Sequence, residues 1–231
     1  MRYCLIIALT FGLSTVMAQT DSSKPVPVAS EPSHHQVLAN DFVQVFHVKV
    51  APHSSTLMHV HARDYVGVHL TSVDLTNTPA GGPPKQVHTE VGAAQLIKAP
   101  LTHMVTNNSD TPYENITVAL LKSSPQHPAG AVPATDLNGT GVTARLLFEN
   151  EIVRAWSVEM APGATQPHHV HQLPYLAIAI TDINFKSVPD KGAPEMISPK
   201  AGDVAWRNPP LAHTLTNMSD QPAKYVALEF K

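Results

Sequence analysis

The chain has 231 residues, of which 43% are hydrophobic and only 14% charged, with a formal net charge of −3 at pH 7. That balance, without any Lys/Arg run, excludes the basic surface that nucleic-acid binding needs. A single cysteine excludes a disulfide scaffold, and 21 prolines fit a turn-rich β protein better than a helical bundle.

The N-terminus reads as an export signal. Arg2 is a short positive start, residues 5–13 form an apolar core, and Val16-Met17-Ala18 makes a small-residue cleavage site before Gln19. The core is too short to span a membrane. Residues 1–18 are expected to be removed, taking Cys4 with them, and loss of Arg2 moves the net charge from −3 to −4. The expected location is periplasmic or secreted. Residues 19–34, poor in large apolar groups, are expected to be a flexible leader.

From residue 37 the pattern becomes short valine-rich runs separated by Pro, Gly and Asn, the mark of strands. Residues 42–50, 66–70 and 116–122 each read as one strand. Residues 76–89, with Pro79, Gly81, Gly82, Pro83 and Pro84, read as a loop. No stretch sustains a helical period. Residues 123–143 form a Pro/Gly/Ala-rich linker, after which the same order returns, with 187–199 as the second loop. Four Asn-x-Ser/Thr triplets, at Asn107, Asn115, Asn138 and Asn217, are read as chance sequons.

The return is a repeat. At a constant offset of 110 residues, His59-Val60-His61 and Tyr65 recur as His169-Val170-His171 and Tyr175. Further on, Pro100-Leu101-Thr102-His103 recurs as Pro210-Leu211-Ala212-His213, with Asn107 answering Asn217. No insertion or deletion separates the copies. One module of about 90 residues is written twice, spanning 35–122 and 144–231, and units that small are expected to pack against each other.

Each copy carries three histidines. His59 and His61, two apart on a strand, present both imidazoles on one face. His103, on a later segment, can fold beneath them. Neutral imidazole suits Fe, Ni, Cu or Zn, so the expected cofactor is a divalent transition metal, held by His59, His61 and His103 and again by His169, His171 and His213.

These spacings resemble the two motifs of the cupins. The first, Gly-x5-His-x-His-x3,4-Glu-x6-Gly, is met by Gly163, His169 and His171, whereas the first unit has His53 where the glycine belongs. The second places Gly eleven residues before His and fifteen before Asn, as do Gly92, His103, Asn107 and Gly202, His213, Asn217. Pro100 and Pro210 stand at its internal glycine. The resemblance implies an all-β bicupin: two tandem antiparallel β-barrels of jelly-roll type, each able to hold a divalent metal.

Both units depart from the motif at its glutamate, which becomes Tyr65 and Tyr175. These tyrosines are read either as catalytic residues over the open face of the metal or as aromatic wall residues. Strand alternation adds His69 as a fourth donor in the first barrel or as an ordinary hydrogen-bonded histidine. The second barrel, with Ala177 and Ala179 there, is expected to have a roomier apolar interior, with Trp206 and Arg207 as ligand contacts. His168 should point away from His169, and Asp64 is a candidate to orient a histidine. Two functions remain open. One is an exported three-His metalloenzyme, with dioxygenase chemistry on a small aromatic or enol substrate favoured and zinc-activated water as the other version. The other is a non-catalytic cupin that binds or senses a small ligand. Either has a small molecule as partner, with a homodimer allowed.

Overall fold

A computed structural model describes residues 24–121, 134 and 137–231. The export signal (1–18), the first part of the leader and most of the linker lie outside the described residues. Among the described residues the one helical element is the 3-10 turn Val28–Ser30; the rest of the regular structure is strand.

Each unit is two facing sheets, antiparallel but for one short parallel pair at the edge of the first unit. In the first, one sheet runs in spatial order His34–Ala39, Val43–Val50, Tyr113–Leu120, Tyr65–His69, Ala94–Ile97. The opposing sheet runs Val26–Pro27, His59–His61, Leu101–Asn107, Asp74–Pro79, Lys85–His88. The second unit repeats this with Val142–Glu149, Val153–Met160, Ala223–Phe230, Tyr175–Ala179 and Val204–Arg207 against Thr165–His171, Leu211–Asn217, Phe185–Pro189 and Glu195–Ile197.

In the five-stranded sheets the central strands Tyr65–His69, Tyr113–Leu120, Tyr175–Ala179 and Ala223–Phe230 are buried along most of their length, because each sheet has a barrel interior on one face and the other unit on the other. On one face Phe46, Val48 and Val50 fill their own barrel. On the other, Val43, Val45, Val66, Val68, Ile116 and Val118 join Val153, Ala155, Leu176, Ile178, Val226 and Leu228 in one apolar cluster. The two barrels therefore share a core. Phe42 of the first unit stacks on Trp206 of the second, with centroids 6.0 Å apart and planes 6° from parallel.

Gly92 and Gly202 sit at this junction with φ of +79° and +89°, where an L side chain is strained. A Cβ at Gly92 would lie 2.6 Å from the Lys224 side chain, and one at Gly202 2.7 Å from His47. Both glycines thus serve the close approach of the barrels as well as the turn.

Two expectations need correction. The leader is not free to residue 34, because Val26–Pro27 pairs in parallel with His59–Val60, and Glu31 and His34 are buried. The loops at 76–89 and 187–199 are hairpins. Asp74–Pro79 pairs with Lys85–His88, and Phe185–Pro189 with Glu195–Ile197, the Pro and Gly residues being confined to the turns and edges where a missing N–H is harmless. Asn107 and Asn217, read as chance sequons, are fully buried, and each donates from its side-chain amide to three backbone carbonyls (Val50, Ala51 and Thr111; Met160, Ala161 and Gln221).

Candidate metal centre

The strand His59–His61 pairs with Leu101–Asn107 so that His59 stands opposite His103. Alternation turns His59 and His61 into the barrel together. Their Nε2 atoms are 3.1 Å apart, and the His103 ring is centred 4.6 Å from His59 and 5.2 Å from His61. The second barrel repeats this. His169 faces His213 across the same pair of strands, with their Nε2 atoms 3.1 Å apart. The ligand nitrogens of His169, His171 and His213 all lie within 4.8 Å of one another.

The other ring nitrogen is engaged almost throughout. His59 Nδ1–H donates to the Leu57 carbonyl at 2.8 Å and His169 Nδ1–H to the Pro167 carbonyl at 2.8 Å. A carbonyl can only accept, so in the neutral rings both Nε2 atoms carry a bare lone pair. His103 Nδ1–H donates to Asn77 Oδ1 at 2.9 Å, and its Nε2 is buried without a partner. An orphaned buried acceptor costs about 1–3 kcal/mol. Several bare nitrogens turned on one another fit a cation between them.

Burial keeps these imidazoles neutral. Desolvation, helped by the neighbouring rings, pulls His61 down to about 2, His103 to about 3 and His213 to about 3, and His169 falls to about 4 chiefly by desolvation. His59 is lowered by the same desolvation. At neutral pH all of these rings have a lone pair to offer a metal.

Tyr65 and Tyr175, read either as catalytic residues over the open face or as aromatic wall residues, lie flat on histidines. Tyr65 stacks on His61 at 4.0 Å and Tyr175 on His171 at 4.2 Å. Burial raises both phenols, Tyr175 to about 12, so both remain protonated. His69 is buried and lines the first cavity, but its Nδ1 faces the Tyr113 hydroxyl at 3.3 Å; neither His69 nor His103 belongs to the first cluster of mutually close nitrogens, which is His34, His59 and His61, His103 packing beside it. Asp64 accepts from the Ala99 N–H and pairs with Lys98 rather than orienting a histidine. His168 points outward to Asp190, as expected.

Two residues of the site escaped the reading of the sequence. His34 brings a nitrogen within 4.8 Å of those of His59 and His61, and its Nδ1–H donates to Glu31 Oε2 at 2.6 Å. Its repeat position is Ala144, so the duplication pointed away from it. In the second barrel Glu229, with no solvent exposure, lies 3.4 Å from His171 Nδ1. The same carboxylate accepts from the Ala134 N–H and from Trp156 Nε1. Its signal was a glutamate at an inward position of an apolar strand, where the first unit has Ala119.

The cavities also reverse one expectation. The first barrel encloses about 280 Å³ and the second about 120 Å³. Trp156, Phe185 and Tyr225 fill space in the second where the first has Phe46, Leu75 and Asn115. Arg207 lines that smaller cavity beside Tyr175, its cross-strand partner; Trp206 stacks on Phe42 at the barrel junction and, with Arg207, lines an adjoining pocket beside Tyr175 and His213, as expected.

Two barrels of this kind in tandem make the chain a bicupin by fold. No family model matches the sequence, and no curated protein does. Among solved structures it is similar to the oxalate decarboxylase of Lactobacillus farciminis in its formate complex, with TM-score 0.60 and 14% identity over 83% of this chain and 77% of that one. It is also similar to the Bacillus subtilis oxalate decarboxylase studied for its Mn(II) centres (TM-score 0.57, 12% identity, 86% and 75% covered). A cupin 2 conserved barrel domain protein from Leptotrichia buccalis aligns with TM-score 0.51 and 11% identity, over 86% and 88%.

Proposed function

We propose that this protein is an exported bicupin that holds one divalent transition metal in each barrel and acts as a dioxygenase on a small aromatic or enol substrate. The observation that carries the metal reading is the set of buried Nε2 lone pairs, each fixed by a hydrogen bond at Nδ1 and one left without any partner. The Mn(II) centres of the Bacillus subtilis relative are consistent with a metal in this fold. Here imidazole without a first-motif carboxylate favours Fe, Ni, Cu or Zn.

A bound redox-active metal would supply a place where dioxygen and substrate meet. The chain's own residues do the rest. The second cavity, walled by Val158, Ile183, Phe185, Leu215 and Tyr225, excludes water from an apolar ring or enol. Arg207, whose guanidinium makes no hydrogen bond or ion pair among the described residues, offers its charge to an ionised hydroxyl or carboxylate at the mouth. Tyr175 keeps its proton and holds His171 in place. Export rests on residues 1–18, and no helix among the described residues is long and apolar enough to cross a membrane.

The test is oxygen uptake by iron-, nickel- and copper-loaded protein with a panel of catechols and β-diketones. One O₂ consumed per substrate, without an added reductant, supports the dioxygenase. Tight ligand binding with no uptake for any metal would make the protein a binding module instead.

A further inference from the structure

The first barrel has an imidazole that its twin lacks. His34 enters from the edge strand His34–Ala39, beside its neighbour Val43–Val50, and its ring is centred 4.7 Å from His59 and 5.9 Å from His61. Its ligand nitrogen lies within 4.8 Å of theirs, closer company than His69 keeps. Because Nδ1–H is given to the Glu31 carboxylate at 2.6 Å, Nε2 is the bare nitrogen. No hydrogen bond is made by that Nε2 among the described residues.

Glu31 does more than hold this ring. Its Oε2 also accepts from the Ser33 N–H, and its Oε1 accepts from the Leu57 N–H at 3.0 Å. Leu57 is the residue whose carbonyl fixes the His59 tautomer. One buried carboxylate thus sets His34 directly and His59 through one peptide. The short parallel pairing of Val26–Pro27 with His59–Val60 ties the same segment to the ligand strand. A carboxylate bonded to the distal nitrogen of an imidazole is the usual outer partner of a metal-bound histidine, fixing the ring and raising its basicity.

We propose that His34 is a metal ligand of the first barrel, supplying the donor that Tyr65 does not, with Glu31 as its positioning residue. This rests on the metal reading above and deepens it. The two barrels then differ in kind. The first is a centre built on His34, His59 and His61 with the His103 ring beside them, and the Glu31 carboxylate lies one hydrogen bond away. The second is a three-imidazole centre with one more position open to a ligand. The N-terminal segment 26–34 is part of the first site rather than a leader.

The probe is Co²⁺, whose visible absorption reports the number and geometry of its donors. It is titrated against a competing chelator into His171→Ala protein, so that only the first centre reads out. Outer partners are worth about 10–100-fold in affinity, so loss of a ligand should exceed about 100-fold. His34→Gln, which can still donate to Glu31, should bind Co²⁺ at least ~100-fold more weakly and with a changed spectrum. His34→Ala should do the same. Glu31→Gln should weaken binding about 10–100-fold and keep the parent spectrum. Circular dichroism of each variant identifies any that fails to fold, and His34→Gln decides if His34→Ala does not. Parent affinity and parent spectrum in folded His34→Gln would overturn the proposal while leaving a metal centre intact. No Co²⁺ bound by the His171→Ala parent would instead overturn the metal reading of the first barrel itself.

Discussion

Tyr65 lies flat on His61, the ring centroids 4.0 Å apart and the planes 19° from parallel. The same pairing recurs in the second barrel between Tyr175 and His171, at 4.2 Å and 27°. A tyrosine stands where the cupin motif has its carboxylate, and it steers an imidazole by its face rather than binding a cation by its oxygen. The raised phenol pKa at both positions agrees, because burial disfavours the phenolate that ligation would need.

Tyr65→Phe should therefore keep metal affinity within about threefold, whereas Tyr65→Ala, which frees the His61 ring, should lower it about 10–100-fold, the usual worth of an orienting partner. Chelator competition on the two variants checks this. Loss of metal in Tyr65→Phe would make the hydroxyl a ligand.

The supports at Nδ1 should be worth as much. Asn77→Ala removes the acceptor that fixes His103, and Ser187→Ala removes the partner of His213. Each should weaken metal binding about 10–100-fold in its own barrel while leaving the other barrel unchanged. Site-resolved titration, with the opposite centre silenced, is the measurement.

Metal-free protein should lose stability in mild acid. The core imidazoles have folded pKa values well below 6.5, His169 at about 4 and His103 at about 3. Between those values and 6.5 the unfolded chain binds more protons than the folded one, so stability is full above 6.5 and falls as pH drops. The lowered carboxylate at Glu31 adds its loss only below its ordinary value of 4.5, so the range from 6.5 to 5 isolates the histidines. Urea midpoints of metal-free protein should fall steadily across that range, and bound metal should hold them up. A flat profile would show that the rings are not buried neutral.

The barrels should unfold as one. Leu228 is fully buried in the cluster shared by both units, and Leu228→Ala should cost about 2–5 kcal/mol. Denaturation followed by Trp fluorescence and by circular dichroism should give a single coincident transition. Two separate transitions would deny the common core.

The repeat made most of this legible. Because His59, His61 and His103 recur at one offset, both barrels and the cluster of His169, His171 and His213 could be read from the chain, whereas in the first barrel the close group includes His34 in place of His103. The edges could not. Pro79 and the glycines beside it looked like a loop because turn residues dominate a hairpin whose strands are short and exposed on their outer face. His34 and Glu229 were hidden for the opposite reason, since each exists in one copy and the repeat contrast marks it as incidental. Trp206 and Arg207 share a strand, so only Arg207 reaches the inner cavity, yet both line the pocket beside Tyr175 and His213.

Metal stoichiometry tests the two-centre bicupin most directly. Protein expressed in full, then loaded with Zn²⁺ and dialysed at neutral pH, should retain two ions per chain by elemental analysis. His61→Ala and His171→Ala should each retain one, with melting temperatures that fall mainly through the lost ion. Wild-type protein that holds no metal, or single variants that still hold two, would contradict it.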